Sequence, residues 1–141
     1  MAKKVQRRHA ALRYPKHVFR PEELLHFIET TVFTKAWTDL GLNDDEDLTA
    51  LQLLIMCSPK ASPVIRRTGG LRKLRFAPAK WGTGASGGAR VCYVYFEDHG
   101  IVLLVHVYDK HQKDDLTDAE KNVIRDYIQR EKKALDRRQS I

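Results

Sequence analysis

The 141-residue chain predicts an α+β domain: a small, mainly antiparallel sheet of about four strands, with two helices ahead of its central strands and one helix after them. Three observations carry that expectation. Residues 69–108 hold three runs rich in β-branched and aromatic residues, bounded by glycines or by Asp98-His99-Gly100. The segment before them, 27–59, carries helix starts, stops and an apolar stripe at helical spacing. The segment after them opens with Thr117 and, three residues on, Glu120, the spacing of a capping box. With 43% hydrophobic and 30% charged residues, the composition is that of a folded domain with one core rather than of a disordered chain.

Residues 1–26 read as a basic arm, with seven Lys/Arg against Glu22 and Glu23 and with Pro15 and Pro21 interrupting any regular element. The folded domain is expected over 27–130, and 131–141 as a fraying tail. Phe27 to Phe33 is β-branched and aromatic and reads as the first strand. Thr34 can then cap a helix over 35–40, stopped by Gly41. Asn43 with Glu46 has capping-box spacing. Asp44, Asp45 and Asp47 complement the dipole of a second helix whose stripe is Leu48, Leu51, Leu54 and Ile55, ended by Ser58-Pro59. Pro63-Val64-Ile65 is a short extended piece.

Residues 89–96 and 101–108 are apolar on both faces and should be inner strands joined through 97–100. In the last helix, Val123, Ile124, Tyr127, Ile128 and Leu135 are expected on the buried face. Cys57 and Cys92 both sit in apolar runs and read as reduced core thiols, which fits a cytoplasmic protein. The basic start is followed by no apolar signal segment, and no run approaches the roughly 20 residues that span a bilayer.

Charge is distributed unevenly. Residues 27–59 carry six acids against Lys35, whereas residues 60–113 carry ten Lys/Arg against three acids. A short sheet so charged is suited to a polyanion. Alternation puts Lys73 and Arg75 on one strand face, with Arg72, Leu74 and Phe76 on the other. Two cations at i and i+2 match successive phosphates of an RNA strand, or else protect an edge strand from aggregation. Arg90, starting an apolar strand, either pairs with a carboxylate of this chain or awaits a phosphate. Lys110, His111 and Lys113 follow the last strand. His111 can titrate near neutrality but also suits a plain solvated turn, while His106 reads as a core histidine.

The glycine loop 82–88 has G-x-G-x-x-G spacing, but a strand follows it where a dinucleotide fingerprint requires a helix. It reads as a loop between antiparallel strands, with backbone N–H groups open to a phosphate. The sequence has no Cys/His spacing for zinc, no nucleophile elbow and no acidic pair in a cleft context, which excludes most metal-dependent nucleases. No cofactor is expected.

Gly70-Leu71-Arg72-Lys73-Leu74-Arg75, then Ser86-Gly87-Gly88-Ala89-Arg90-Val91 with Tyr93, then Tyr108-x-Lys110 with Asp115-Leu116-Thr117-x-x-Glu120 together resemble the RelE/HigB-type toxins of bacterial toxin–antitoxin systems. The resemblance runs from about Phe27 to Ile128. It implies a ribonuclease that enters the ribosomal A site, cuts mRNA and is held inactive by an antitoxin, often a helix-turn-helix protein. By position it implies Lys73, Arg75 and Arg90, and Lys110 with His111 or Lys113, as working residues. Arg72, Lys80 and Lys113 are further expected RNA contacts from the charge of this stretch. Ala85 stands where members of this branch often have Lys, and the arm 1–26 lies outside the pattern. Two rivals remain at this level: a ParE-like inhibitor that binds DNA gyrase without catalysis, and a plain RNA-binding module.

Overall fold

A computed structural model of the chain describes residues 23–82, 84, 87–110 and 115–140. Most of the arm 1–26 therefore lies outside the described residues, as do Thr83, Ala85 and Ser86 of the glycine loop and 111–114 after the last strand. The elements are β1 (His26–Glu29), α1 (Thr31–Asp39), α2 (Asp47–Cys57), β2 (Arg72–Phe76), β3 (Ala89–Phe96), β4 (Ile101–Asp109) and α3 (Asp118–Ser140). They build a four-stranded sheet in the order β1-β4-β3-β2. β2–β3 and β3–β4 are antiparallel and β1 runs parallel to β4, so the sheet is mixed. The two inner strands are the two that are apolar on both faces, as the sequence requires.

The first strand is shorter than expected. β1 ends at Glu29, because Thr30 takes an extended conformation and its Oγ1 accepts a hydrogen bond from the Phe33 amide at 3.0 Å, capping α1. The cap is thus Thr30, not Thr34. The β-branched pair Thr31-Val32 becomes helical because Phe33 and Trp37, four residues apart, share one helix face and bury there completely or nearly so. Their rings stack at 5.4 Å, and Trp37 stacks in turn on Phe76 of β2 at 6.0 Å. Such aromatic packing outweighs local propensity, which amounts to a few tenths of a kcal/mol per residue.

Before α2, Asn43 Oδ1 accepts from the amides of Glu46 (2.8 Å) and Asp47 (3.1 Å), while Asp47 Oδ2 accepts from the Asn43 amide (2.8 Å). The box is therefore closed by Asp47 rather than by Glu46. Leu48, Leu51 and Ile55 bury against the sheet, whereas Leu54 is 44% exposed. Cys57, the last residue of α2, is exposed, contrary to its expected place in the core; Cys92 is buried, and both are free thiols.

α1 and α2 cover one side of the sheet with a core that includes Leu25, Phe27, Val91, Tyr93, Val102, Leu104 and Val107. α3 covers the other side with Leu71, Cys92, Val94, Phe96, Leu103, Val105, Tyr108, Leu116 and Ile128. Thr117 and Glu120 form the full capping box ahead of α3, at 2.8 and 3.1 Å. The helix continues through the stretch expected to fray: Leu135 packs on the second core, and Asp136 accepts a hydrogen bond from His99 at 2.9 Å and one from Lys132 at 3.0 Å. Val123, expected inside, is 68% exposed.

One irregularity positions the site. Cys92 pairs with His106 but Tyr93 pairs with Leu104, leaving Val105 as an extra residue in β4. The bulge reverses the alternation, so that Leu103, Val105 and Tyr108 share the α3 side while Leu104 and Val107 share the other. The Val105 carbonyl accepts a hydrogen bond from Thr30 Oγ1 at 2.7 Å, which ties the bulge to the start of α1.

Candidate active site and RNA interface

Three strands deliver two rows of side chains to the α3 side of the sheet. Lys73, Cys92 and His106 are in register across β2, β3 and β4, and Arg75, Arg90 and Tyr108 form the next row. Rows two residues apart along a strand are spaced by about 6.6–6.8 Å. Lys73 is held toward the start of α3 by Asp115, with Nζ 3.3 Å from Oδ1. Arg75 is exposed, and among the described residues it makes no ion pair or hydrogen bond.

Arg90 is 9% exposed, and its Nη1 donates to the Gly88 carbonyl at 3.1 Å. Residue 88 has to be glycine there, since a Cβ would stand 2.4 Å from the Phe76 carbonyl oxygen. The close approach of the loop to the end of β2 brings that carbonyl round to the guanidinium. Arg75 and Arg90 are directly opposed in the antiparallel ladder, a like-charge cross-strand pair.

Tyr108 completes the row. Its hydroxyl is buried and has no hydrogen-bond partner among the described residues. Burial pushes its pKa up to about 12, helped by Cys92, Asp115 and Glu120 and opposed by Arg90. It is a protonated donor at neutral pH and cannot serve as a base. Burial likewise pushes the Cys92 thiol up to about 12, with Lys73 opposing and Asp115 assisting, so Cys92 is no nucleophile. The histidine of the first row, His106, lies against Tyr108 with ring centroids 5.7 Å apart.

The remaining expected residues fall elsewhere. Arg72 points to the opposite side, where its Nη1 donates to the carbonyls of Lys60 (3.0 Å) and Ser62 (2.7 Å) and so clamps the loop before β2. Lys80 is drawn to the helical side, with Nζ 2.8 Å from Asp47 Oδ2 and 2.6 Å from the Gly41 carbonyl. Neither side chain is brought to the two rows. Lys110 is half-buried in the turn after β4, at the sheet end that carries Arg75, Arg90 and Tyr108. His111 and Lys113 lie outside the described residues.

Two residues emerge that sequence reasoning did not single out for the site, Tyr108 and Asp115. Strict alternation along β4 groups Tyr108 with Leu104, away from Arg90, and only the bulge reverses this. Asp115 stood within a recognisable run, but its pairing with Lys73 joins positions 42 residues apart. Among the described residues, no three His, Cys, Asp or Glu side chains gather as a metal site, and no helix is long and apolar enough to cross a membrane.

No family model matches the chain. Among solved structures, the fold is similar to that of E. coli toxin RelE, an arginine double mutant in the free state, at 19% sequence identity and a TM-score of 0.45. The similarity covers 62% of this chain and 85% of that one.

Proposed function

We propose that this protein is the toxin of a toxin–antitoxin pair, a metal-independent, ribosome-dependent mRNA endonuclease. The observation that carries the reading is the direct opposition of Arg75 and Arg90, flanked by Lys73 and by the unsatisfied hydroxyl of Tyr108. Like charges directly opposed across a ladder are unfavourable by themselves, and a phosphodiester at this position adds an attraction to each guanidinium.

In the proposed reaction the RNA 2′-hydroxyl gives up its proton to water, its oxygen attacks the adjacent phosphorus, the O2′–P bond forms and the P–O5′ bond breaks. A 2′,3′-cyclic phosphate and a free 5′-hydroxyl remain. Negative charge grows on the non-bridging oxygens, where Arg75 and Arg90 act, with Tyr108 donating a hydrogen bond that it makes to no described residue in the free protein. Lys73, paired with Asp115, adds positive charge to the neighbouring phosphate position. Lys110, in the turn at the same end of the sheet, would protonate the leaving 5′-oxygen. The described site offers cations and donors more readily than a base, which suits an enzyme whose substrate is aligned by the ribosome.

Translation of a defined mRNA in a reconstituted system, with cleavage ends mapped, tests the proposal. Cuts confined to ribosome-bound message and absent with Arg90→Ala are expected. Intact mRNA in the presence of folded, antitoxin-free protein would overturn it.

A further inference from the structure

Outside the two rows, the least economical backbone in the described chain lies at Arg67. Its φ is +66°, and every other residue described with positive φ is a glycine: Gly41, Gly69, Gly70, Gly82 and Gly100. A side chain in the left-handed region is strained, and glycine at 67 would relieve it. The loop is nonetheless firmly held. Thr68 is fully buried, its Oγ1 donates to the Ile65 carbonyl at 2.6 Å, and it accepts from the Leu71 amide at 3.0 Å. The anchored threonine leaves Arg66 and Arg67 exposed, with no ion pair or hydrogen bond among the described residues.

The loop also lies on the right side of the molecule. Gly69 packs against the side chain of Arg125 on α3, near enough that a Cβ at 69 would stand 3.3 Å from Arg125 Cγ. From Gly69 to Lys73 the chain spans four residues, at most about 14 Å. A line of cations therefore runs from Arg75 through Lys73 to Arg125 and the Arg66–Arg67 pair. Asp115 on Lys73 and Asp126 at 3.6 Å from Arg125 are both more than half exposed and yield readily to a competing anion, as does Glu97, which with Asp98 lines the pocket beside Gly69 and Gly70 and pairs with Lys60 at 3.3 Å.

We infer that loop 65–69 and Arg125 form a second phosphate-binding subsite for the RNA backbone, roughly two nucleotides beyond the Lys73–Arg75 row. The inference rests on the ribonuclease reading for the choice of RNA, and it extends the binding surface beyond the reacting bond. Guanidinium groups suit phosphate through their planar fork. Residues 65–69 carry no aromatic anchor of the kind that dominates protein interfaces, which favours RNA over an acidic protein. Retaining arginine at a strained position is consistent with a charge kept for contact rather than for stability.

The test measures binding of full-length protein to labelled single-stranded RNA by fluorescence anisotropy at several salt concentrations, with an oligonucleotide that covers only the two rows and a longer one. For the longer RNA, Arg66→Gln with Arg67→Gln should weaken binding about 3–10-fold and lower the slope of log K against log salt by about 1.4, or about 0.7 per lost phosphate contact. The shorter RNA should bind as it does to the wild type. Arg67→Gly alone should raise the Tm while weakening the longer RNA, separating strain from folding defects. An unchanged salt slope, or equal weakening of both oligonucleotides, overturns the subsite. A wild type that binds with these slopes but cuts no mRNA sinks the nuclease reading and leaves the subsite standing. One that cuts, with a slope indifferent to the loop variants, sinks the subsite alone. A wild type that binds neither RNA overturns both.

Discussion

Arg75→Gln should make the protein more stable and less active at once. Arg75 and Arg90 are opposed across β2 and β3, with Arg75 exposed and Arg90 nearly buried. Two unit charges about 6–7 Å apart repel by about 0.6 kcal/mol in water and by several times more at lower effective dielectric. Exposure of Arg75 keeps the interaction near the aqueous end, and like-charge cross-strand pairs are destabilising by about 0.2–1 kcal/mol. Removing the charge should therefore stabilise the free protein by about 0.5–1 kcal/mol, or roughly 2–4 °C in Tm for a domain of this size. No hydrogen bond to a described residue is lost to offset the gain.

The same change should lower the single-turnover cleavage rate about 100-fold, the usual cost of removing one donor from a site that stabilises developing charge. A phosphodiester analogue or RNA, which binds the folded state, should raise the Tm of the wild type more than that of the variant. Thermal melting with and without RNA, together with the cleavage assay, reads all three quantities. A fall in Tm on Arg75→Gln refutes the reasoning, since it would show a structural partner for Arg75. Unchanged cleavage would reduce the opposed arginines to a device against edge aggregation.

Arg90→Ala should abolish cleavage, and because the guanidinium is nearly buried it should also cost about 1–3 kcal/mol by stranding the Gly88 carbonyl; a melting curve apportions the two effects. Tyr108→Phe should cost under about 1 kcal/mol in stability, there being no described hydrogen bond to lose, while slowing cleavage about 10–100-fold in a single-turnover assay. Stability should fall at alkaline pH. Cys92 and Tyr108, pushed up by burial to about 12 in the fold from ordinary values of 9.0 and 10.0, resist ionisation when folded but not when unfolded. Their contribution is full below pH 9.0 and is lost as pH rises toward 12, and Cys92→Ala should remove the part that begins near pH 9.0. At the acidic end, the His99 hydrogen bond and Lys132 hold the Asp136 carboxyl below its ordinary value of 3.8. The hold on the C-terminal half of α3 should weaken as pH falls below that value, visible as faster amide exchange around Leu135 that Asp136→Asn reproduces at neutral pH.

Much of the fold was legible because its signals are local. The apolar runs of β3 and β4, the box of Thr117 and Glu120, and the stripe of α2 each depend on residues within a few positions of one another. The end of β1 was not legible: residues 27–33 look like one strand, and what divides them is a side chain–backbone bond from Thr30 together with the burial of Phe33 and Trp37 against β2. The candidate site divides in the same way. The facing of Lys73 and Arg75 follows from period two, and so does the placing of Arg72 on the other face. That Arg72 clamps the carbonyls of Lys60 and Ser62, and that Lys80 is consumed by Asp47, depends on loops whose paths no local pattern encodes.

The deepest dependence is on Val105. Were all of residues 101–109 paired regularly from Tyr93–Leu104, Tyr108 would turn toward α1 and α2 and Val107 would stand opposite Arg90. The bulge therefore delivers a hydroxyl to the cationic side while the strand on either side of it stays in the ladder. Bulges are costly unless their freed carbonyl is satisfied, and here the satisfying group is the hydroxyl that also caps α1, Thr30. The start of the first helix and the bulge that phases the last strand are thus tied together by one side chain, far from all three cations in sequence. A regular reading of the strand fails where a donor has been turned toward them.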